Sequence, residues 1–332
     1  IKTSDLRNRA LSTDVSFTTI TGVSKGYTPS SIVKLSDFRG ATTDRSGIGE
    51  GGTLVTYTSD GNNYNAHRFL TTGSFTISEG NIVADFLIVA GGGAGGFALA
   101  GGGGGGGVII GSEYILEPGT YTITIGAGGI GQDHRNSHAP DGGNSSIIGN
   151  GVSFIAPGGG GGGGANNNNV YVGNPGGSGA GHEGWNSDKP SAVAQYYNSS
   201  DVLTTLTGGS VEIVPGVTAY GNPGGAGGRS HRPTGGGGAG EPGIGNTGGT
   251  NVQAHGGDGI QNNFYDGTTD YYWAGGGGGS QWSNNAGSGS GGKGGGAAGA
   301  YRNGVRGTNS TGPPESLNAA TGSAETDGGD AG

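Results

Sequence analysis

The sequence predicts a mainly β protein with almost no α-helix. A small antiparallel β domain comes first, followed by a glycine-rich sandwich of extended left-handed polyglycine helices carrying variable loops. Three observations predict this. Glycine supplies 86 of the 332 residues, against about 7% in average proteins. It is gathered into uninterrupted blocks at 101–107, 158–164, 235–238 and 275–279. Runs rich in Val, Ile, Thr, Tyr and Phe, broken by turn dipeptides, occupy residues 52–90 and recur at 107–116, 119–128 and 145–157.

Residues 1–50 read as an attachment or assembly segment. They hold an echo, IKTSDLR at 1–7 and VKLSDFR at 33–39, which suits paired docking elements. Its local alternative is that Ser4-Asp5 and Ser36-Asp37 each cap a helical turn. Residues 51–157 form the β-rich domain, with strands expected over 73–77, 82–90, 107–116, 119–128 and 145–157. Asp60-Gly61, Glu79-Gly80, Pro118-Gly119 and Asn150-Gly151 are the turn signals between them. Hydrophobic residues are 30% of the chain and concentrate before residue 155, enough for one modest core.

Residues 158–332 form the glycine-rich domain, where glycine blocks alternate with Asn, Ser and aromatic segments. Ordering each residue costs roughly 1–2 kcal/mol, and glycine loses the most freedom. An ordered glycine block must recover that cost without side-chain burial. A left-handed helix of three residues per turn leaves every N–H and C=O pointing outward, available to neighbours that only glycine lets approach. Seven residues would make a rod of about 22 Å, and its buried amides would all need partners. Pro157, Pro175, Pro223 and Pro242 set an extended φ near the block edges. The core of such a bundle is expected at Gly101, Gly104, Gly107, Gly158, Gly161, Gly164, Gly235, Gly238, Gly275 and Gly279. The alternative is a set of flexible loops on the β scaffold.

Several chemistries are disfavoured. The formal charge of −9 argues against nucleic acid and anionic membranes as partners. With no cysteine, disulfides, thiolate catalysis and sulfur-ligated zinc are excluded. No apolar stretch reaches 18 residues, so no membrane insertion is expected. ADFLIVAGGGAGGF at 84–97 has the glycine spacing of a dinucleotide loop, but only four residues separate Gly96 from a seven-glycine block. The helix that would receive a pyrophosphate has no room there. Lys293 is followed by glycine where a phosphate-binding loop needs Ser or Thr. His134 and His138 in DHRNSH are four apart without a helix to align them, and read as a solvated loop rather than a metal site. Asp258 lacks the nonapeptide period of a calcium repeat. No cofactor, metal or catalytic group is nominated.

Aromatic residues set in polar segments are the candidate recognition loops: Tyr171, Trp185, Tyr196, Tyr197, Phe264, Tyr265 and Trp282. Aromatic platforms beside amide side chains suit glycan or polar-surface recognition. The competing role is packing over the glycine layer, which is the preferred reading for Trp273.

At FLIVAGGGAGG, YTITIGAGG (121–129), APGGGGGGG and YWAGGGGGS, the chain resembles the glycine-rich domain of bacteriophage tail-fibre and adhesin proteins. SIVKLSDFRG (31–40) resembles the start of many virion structural proteins. The resemblance implies a polyglycine-helix sandwich on a virion appendage, with distal loops contacting the host surface. Its partners would be other virion proteins, further copies of itself, a trimer being favoured, and a host surface glycan or outer-membrane protein. The chain departs from that pattern at its end, which reads ETDGGDAG where the family closes with an apolar strand. The expected function is therefore a non-enzymatic tail-fibre or adhesin subunit on the virion. The alternatives are a structural neck, collar or capsid-associated fibre without a receptor role, and a bacterial surface matrix protein.

Overall fold

The structure is a computed structural model. It describes residues 48–299 apart from 60, 98, 132–137, 167–168, 171, 185–189, 228–231, 246–252 and 281–287. The N-terminal echo and the chain end lie outside the described residues. Among those described there is no helix. In chain order the strands are β1 (Gly49–Glu50), β2 (Thr53–Ser59), β3 (Asn62–Arg68), β4 (Gly73–Ile77), β5 (Ile82–Val89), β6 (Val108–Leu116), β7 (Gly119–Thr124), β8 (Ser145–Gly149) and β9 (Val152–Ala156). They continue with β10 (Ala165–Asn166), β11 (Asn169–Val170), β12 (Ala194–Tyr197), β13 (Leu203–Leu206), β14 (Ser210–Val214), β15 (Val217–Tyr220), β16 (Ile260–Asn262) and β17 (Tyr271–Trp273).

Two antiparallel sheets enclose the main core. One runs β1-β4-β7-β8-β9 and the other β14-β15-β6-β5. Alternation of side chains along each strand sends one set inward: Ile77, Ile109, Leu116, Tyr121, Ile147, Phe154 and Val217 are buried together, and Phe86 and Tyr114 pack against them. Phe154 stacks on Phe86 at 5.4 Å between ring centroids and meets Tyr114 edge-on at 5.2 Å. β8 and β9 join through Asn150 and Gly151, with φ of 47° and 78°. Two successive positive φ values match the hand of a twisted hairpin, which explains the Asn-Gly pair. Where β5 meets β6 the register shifts between Ala84 and Phe86. Asp85 accepts the Glu113 N–H there at 2.8 Å, and Glu113 takes φ of 50°, the left-handed conformation that one type of β-bulge uses.

The polar segments beyond residue 158 contain more regular structure than their composition suggests. SVEIVPGVTAY forms the β14–β15 hairpin, and β15 pairs with β6, placing Val217 opposite Gly111 and Tyr220 opposite Val108. AQYY and LTTL form β12 and β13, closed by Asn198, whose Oδ1 accepts the N–H groups of Ser200 and Val202.

Strands run directly into glycine tracts. β5 continues as 90–96, tract 101–107 leads into β6, and β9 continues into 157–164. The register carries over: Val89 lies opposite Val108, and beyond it Ala90, Gly93 and Gly96 donate to the carbonyls of Gly107, Gly104 and Gly101 at 3.1, 2.9 and 3.1 Å. Only the spacing changes, since bonds to the same neighbour now recur every third residue.

Candidate functional site

Tract 101–107 is buried throughout and bonds to tracts on several sides. Its Gly101, Gly104 and Gly107 N–H groups go to the carbonyls of Gly163, Gly160 and Pro157. Gly102 and Gly105 donate to Thr234 and Gly237, while their carbonyls accept from Gly181 and Ser178. The Gly103 carbonyl accepts from Gly277. Neighbouring tract 157–164 is also buried. Every N–H from Gly158 to Gly163 and every C=O from Pro157 to Gly163 is hydrogen-bonded within the molecule. This core is thus built of satisfied peptide groups, the condition for burying backbone at all.

Glycine is required in these tracts by proximity. A Cβ added at Gly102, Gly104, Gly159, Gly161 or Gly236 would come within 3.0 Å of a backbone carbonyl on a neighbouring tract. A few alanines also lie inside the bundle: Ala94, Ala180, Ala239, Ala274 and Ala297 are all buried. Side chains fill gaps in the hydrogen bonding. Thr234 Oγ1 accepts the His182 N–H and donates to the Gly225 carbonyl, each at 2.8 Å. His182, also buried, accepts the Gly173 N–H on Nδ1, so its other nitrogen carries the proton and donates to the Pro190 carbonyl. Ser280 Oγ accepts the Ala100 N–H at 2.7 Å.

An aromatic flank lies where the β2–β3 hairpin meets the loop between β16 and β17. The Arg68 guanidinium sits 3.8 Å from the centre of the Tyr265 ring and donates to the Tyr265 carbonyl. Tyr265 contacts Tyr271 edge-on at 5.2 Å and lies 6.4 Å from Trp273. Ser59 Oγ donates to the Gly267 carbonyl at 2.9 Å. Tyr57 and Tyr64 stack across the hairpin at 5.2 Å. Asp266 shapes the loop by accepting the N–H groups of Thr268 and Thr269 and the Tyr271 hydroxyl. Those bonds, the backbone ones first, hold its carboxyl well below the usual range. Lys293 pairs with Asp258 at 3.0 Å and lies 4.8 Å from the Tyr272 ring.

A family model described as a glycine-rich domain matches residues 67–332. The chain belongs to that glycine-rich domain family. The match spans the strands from β4 onward and the tracts alike. No curated protein and no solved structure matches the chain.

Within this glycine-rich domain, Gly101, Gly104 and Gly107 lie on a tract whose neighbour carries Gly158, Gly161 and, buried at its end, Gly164; the two tracts are joined through Pro157, Gly160 and Gly163. Gly235 donates to Ile244 and Gly238 to Glu241, while Gly275 donates to Gly294 and Gly279 to Ala254. Gly91, Gly93 and Gly96, which matched the dinucleotide spacing, donate to Gly143, Gly104 and Gly101. Their N–H groups are consumed by the lattice. Tyr171, Trp185 and Trp282 lie outside the described residues. Tyr196 packs on the sandwich core, and Tyr197 accepts a bond from Asn144. Phe264 donates its N–H to Asn262 Oδ1 at 2.7 Å, and Tyr265 joins the aromatic flank together with Arg68, which the sequence reading did not single out. Its partner lies 197 residues away, and no local signal links them. His138 bonds to the Val172 carbonyl at 2.9 Å.

One group gives the domain a pH response. His255 Nδ1 accepts the Ser290 N–H at 3.0 Å, which needs the neutral ring, and burial pushes its pKa below the ordinary 6.5. The unfolded chain therefore takes up this proton more readily. The contribution of this one bond is complete above about pH 6.5 and is lost as pH falls through the lowered pKa of the folded state. In His255→Asn, which keeps an acceptor but does not titrate, the unfolding midpoint is expected to fall less between pH 7 and 5 than in the wild type. Equal slopes would show that His255 takes no part.

Proposed function

We propose that this glycine-rich domain is a non-enzymatic subunit of a bacteriophage tail fibre or adhesin, located on the virion. Its tracts are left-handed threefold polyglycine helices that form a stiff block, and loops at the tract ends meet the host surface. The observation that carries this reading is the three-residue recurrence of lateral bonds along 101–107 and 157–163. A threefold extended helix presents its peptide groups in that way. A block of satisfied backbone needs few side chains, which leaves the connecting segments free to vary in sequence. The resemblance to tail-fibre sequences supplies the setting: other virion proteins as neighbours, three copies per fibre, and a host glycan or outer-membrane protein as receptor.

The test is binding of purified protein to host cells, with Tyr171→Ala, Trp185→Ala and Trp282→Ala made singly and together. The combined variant is expected to bind at least about tenfold more weakly, as loss of aromatic anchors does elsewhere, with an unchanged unfolding midpoint. Unchanged binding would favour the second reading, a structural fibre or collar protein. The engagement of Tyr196 and Tyr265 inside the molecule is the observation on that side.

A further inference from the structure

In the interior of the lattice, N–H groups three residues apart donate to carbonyls three residues apart on the next tract, as Gly101, Gly104 and Gly107 do to Gly163, Gly160 and Pro157. At two places side chains replace those carbonyls at the same spacing. Gly158 and Gly161 donate to Asn144 Oδ1 and Asp141 Oδ1 at 2.9 and 2.7 Å. Ser290 and Lys293 donate to His255 Nδ1 and Asp258 Oδ1 at 3.0 and 2.9 Å. In each pair the acceptors are three residues apart, and so are the donors. Three of the four acceptors are held by a further contact: Asn174 Nδ2 donates to Asp141, Asn144 Nδ2 donates to the Tyr197 hydroxyl, and the Lys293 ammonium pairs with Asp258. Asp141 and Asn144 are exposed, so the first pair stands at the outside of the bundle.

We infer that these side chains close the edges of the glycine lattice against lateral addition of another tract, and that the partner they exclude is a second copy of this chain. A row of N–H groups at an open edge is a template for any chain offering carbonyls at the matching repeat, the hazard that open sheet edges carry. The repeat here is three residues, about 9 Å along such a helix. Tracts of every copy of this protein repeat their carbonyls at that spacing, so a tract of a second copy has the repeat that the edge would accept. A carboxylate or amide oxygen fixed over each N–H satisfies the peptide group and occupies the space another tract's carbonyl would need. Carboxylate acceptors also make the stronger, charge-assisted bond. Assembly into a fibre then proceeds through other surfaces. The inference rests on the hydrogen bonds and does not depend on the virion reading.

The experiment uses the full chain with Asp141→Ala and Asn144→Ala combined, followed by backbone amide exchange and sedimentation over a range of concentrations. At concentrations low enough to keep the variant monomeric, protection at Gly158 and Gly161 is expected to fall while Gly160 and Gly163 keep theirs. The weight-average mass should rise with concentration to about twice the wild-type particle or more, as mass action requires. Asp141→Asn, which keeps an oxygen acceptor, should behave as wild type. Loss of protection with no change in association would overturn the inference, and so would unchanged protection. If the double variant does not fold, Asn144→Ala and His255→Ala each free one N–H and are read in the same way. Failure of both single variants to fold would make these residues structural supports, and the inference would fall.

Discussion

Gly104→Ala is expected to lower the thermal unfolding midpoint of the whole molecule by about 10 °C, which for a domain of this size reflects a loss of about 3–5 kcal/mol. The added methyl would lie within 3.0 Å of the Ser178 carbonyl oxygen and the Gly179 backbone. Neither neighbour can rotate away as a side chain would, so the tracts must separate. Overpacking by itself costs about 1–3 kcal/mol. Separation also stretches the bonds from Ser178 to Gly105 and from Gly181 to Gly102, which join these two tracts, and a buried peptide group left unpaired costs about 1–3 kcal/mol. Gly208→Ala is the control. Its φ is 89°, and nothing lies within 4 Å of an added Cβ, so only the left-handed backbone penalty of about 1–2 kcal/mol applies. Calorimetry on the two variants separates proximity from conformation. Equal effects would mean that the central tract is not closely packed.

Phe154→Ala should destabilise the molecule by about 3–5 kcal/mol through lost burial and the cavity left behind. Phe154 is buried at 4% exposure and stacks on Phe86. The more telling expectation is that amide protection at Gly101–Gly107 falls together with that of the strands. The tract pair 90–96 and 101–107 continues the β5–β6 ladder in its register, so the sandwich core fixes which carbonyl each glycine meets. One cooperative transition should be seen in exchange and in near-ultraviolet circular dichroism. Two separate transitions would show that the glycine lattice stands without the sandwich.

Some of this could be read from local sequence. The alternation in GSFTI, the apolar run IVADFLIV and the Asn-Gly turn between β8 and β9 each announce themselves within ten residues, because side-chain period and turn chemistry are local properties. The β14–β15 hairpin carries the same kind of signal in SVEIVPGVTAY, with a Pro-Gly turn, but glycine-rich flanks obscured it. Its place beside β6 was not legible at all, since the partner lies about a hundred residues earlier and the pairing follows from which core it completes.

The sequence by itself determined the placement of the glycine tracts and the need for their residue type, because a chain without Cβ atoms is the only one that can be buried at such close approach. The tertiary structure alone decided which tract lies beside which. It also decided that Asp141, Asn144, His255 and Asp258 accept hydrogen bonds from backbone N–H groups. The physical reason is that a glycine tract carries no side-chain pattern to specify a neighbour. Identity along the lattice comes from the strands that feed it and from the polar residues at its edges, and both act through contacts between residues far apart in the chain.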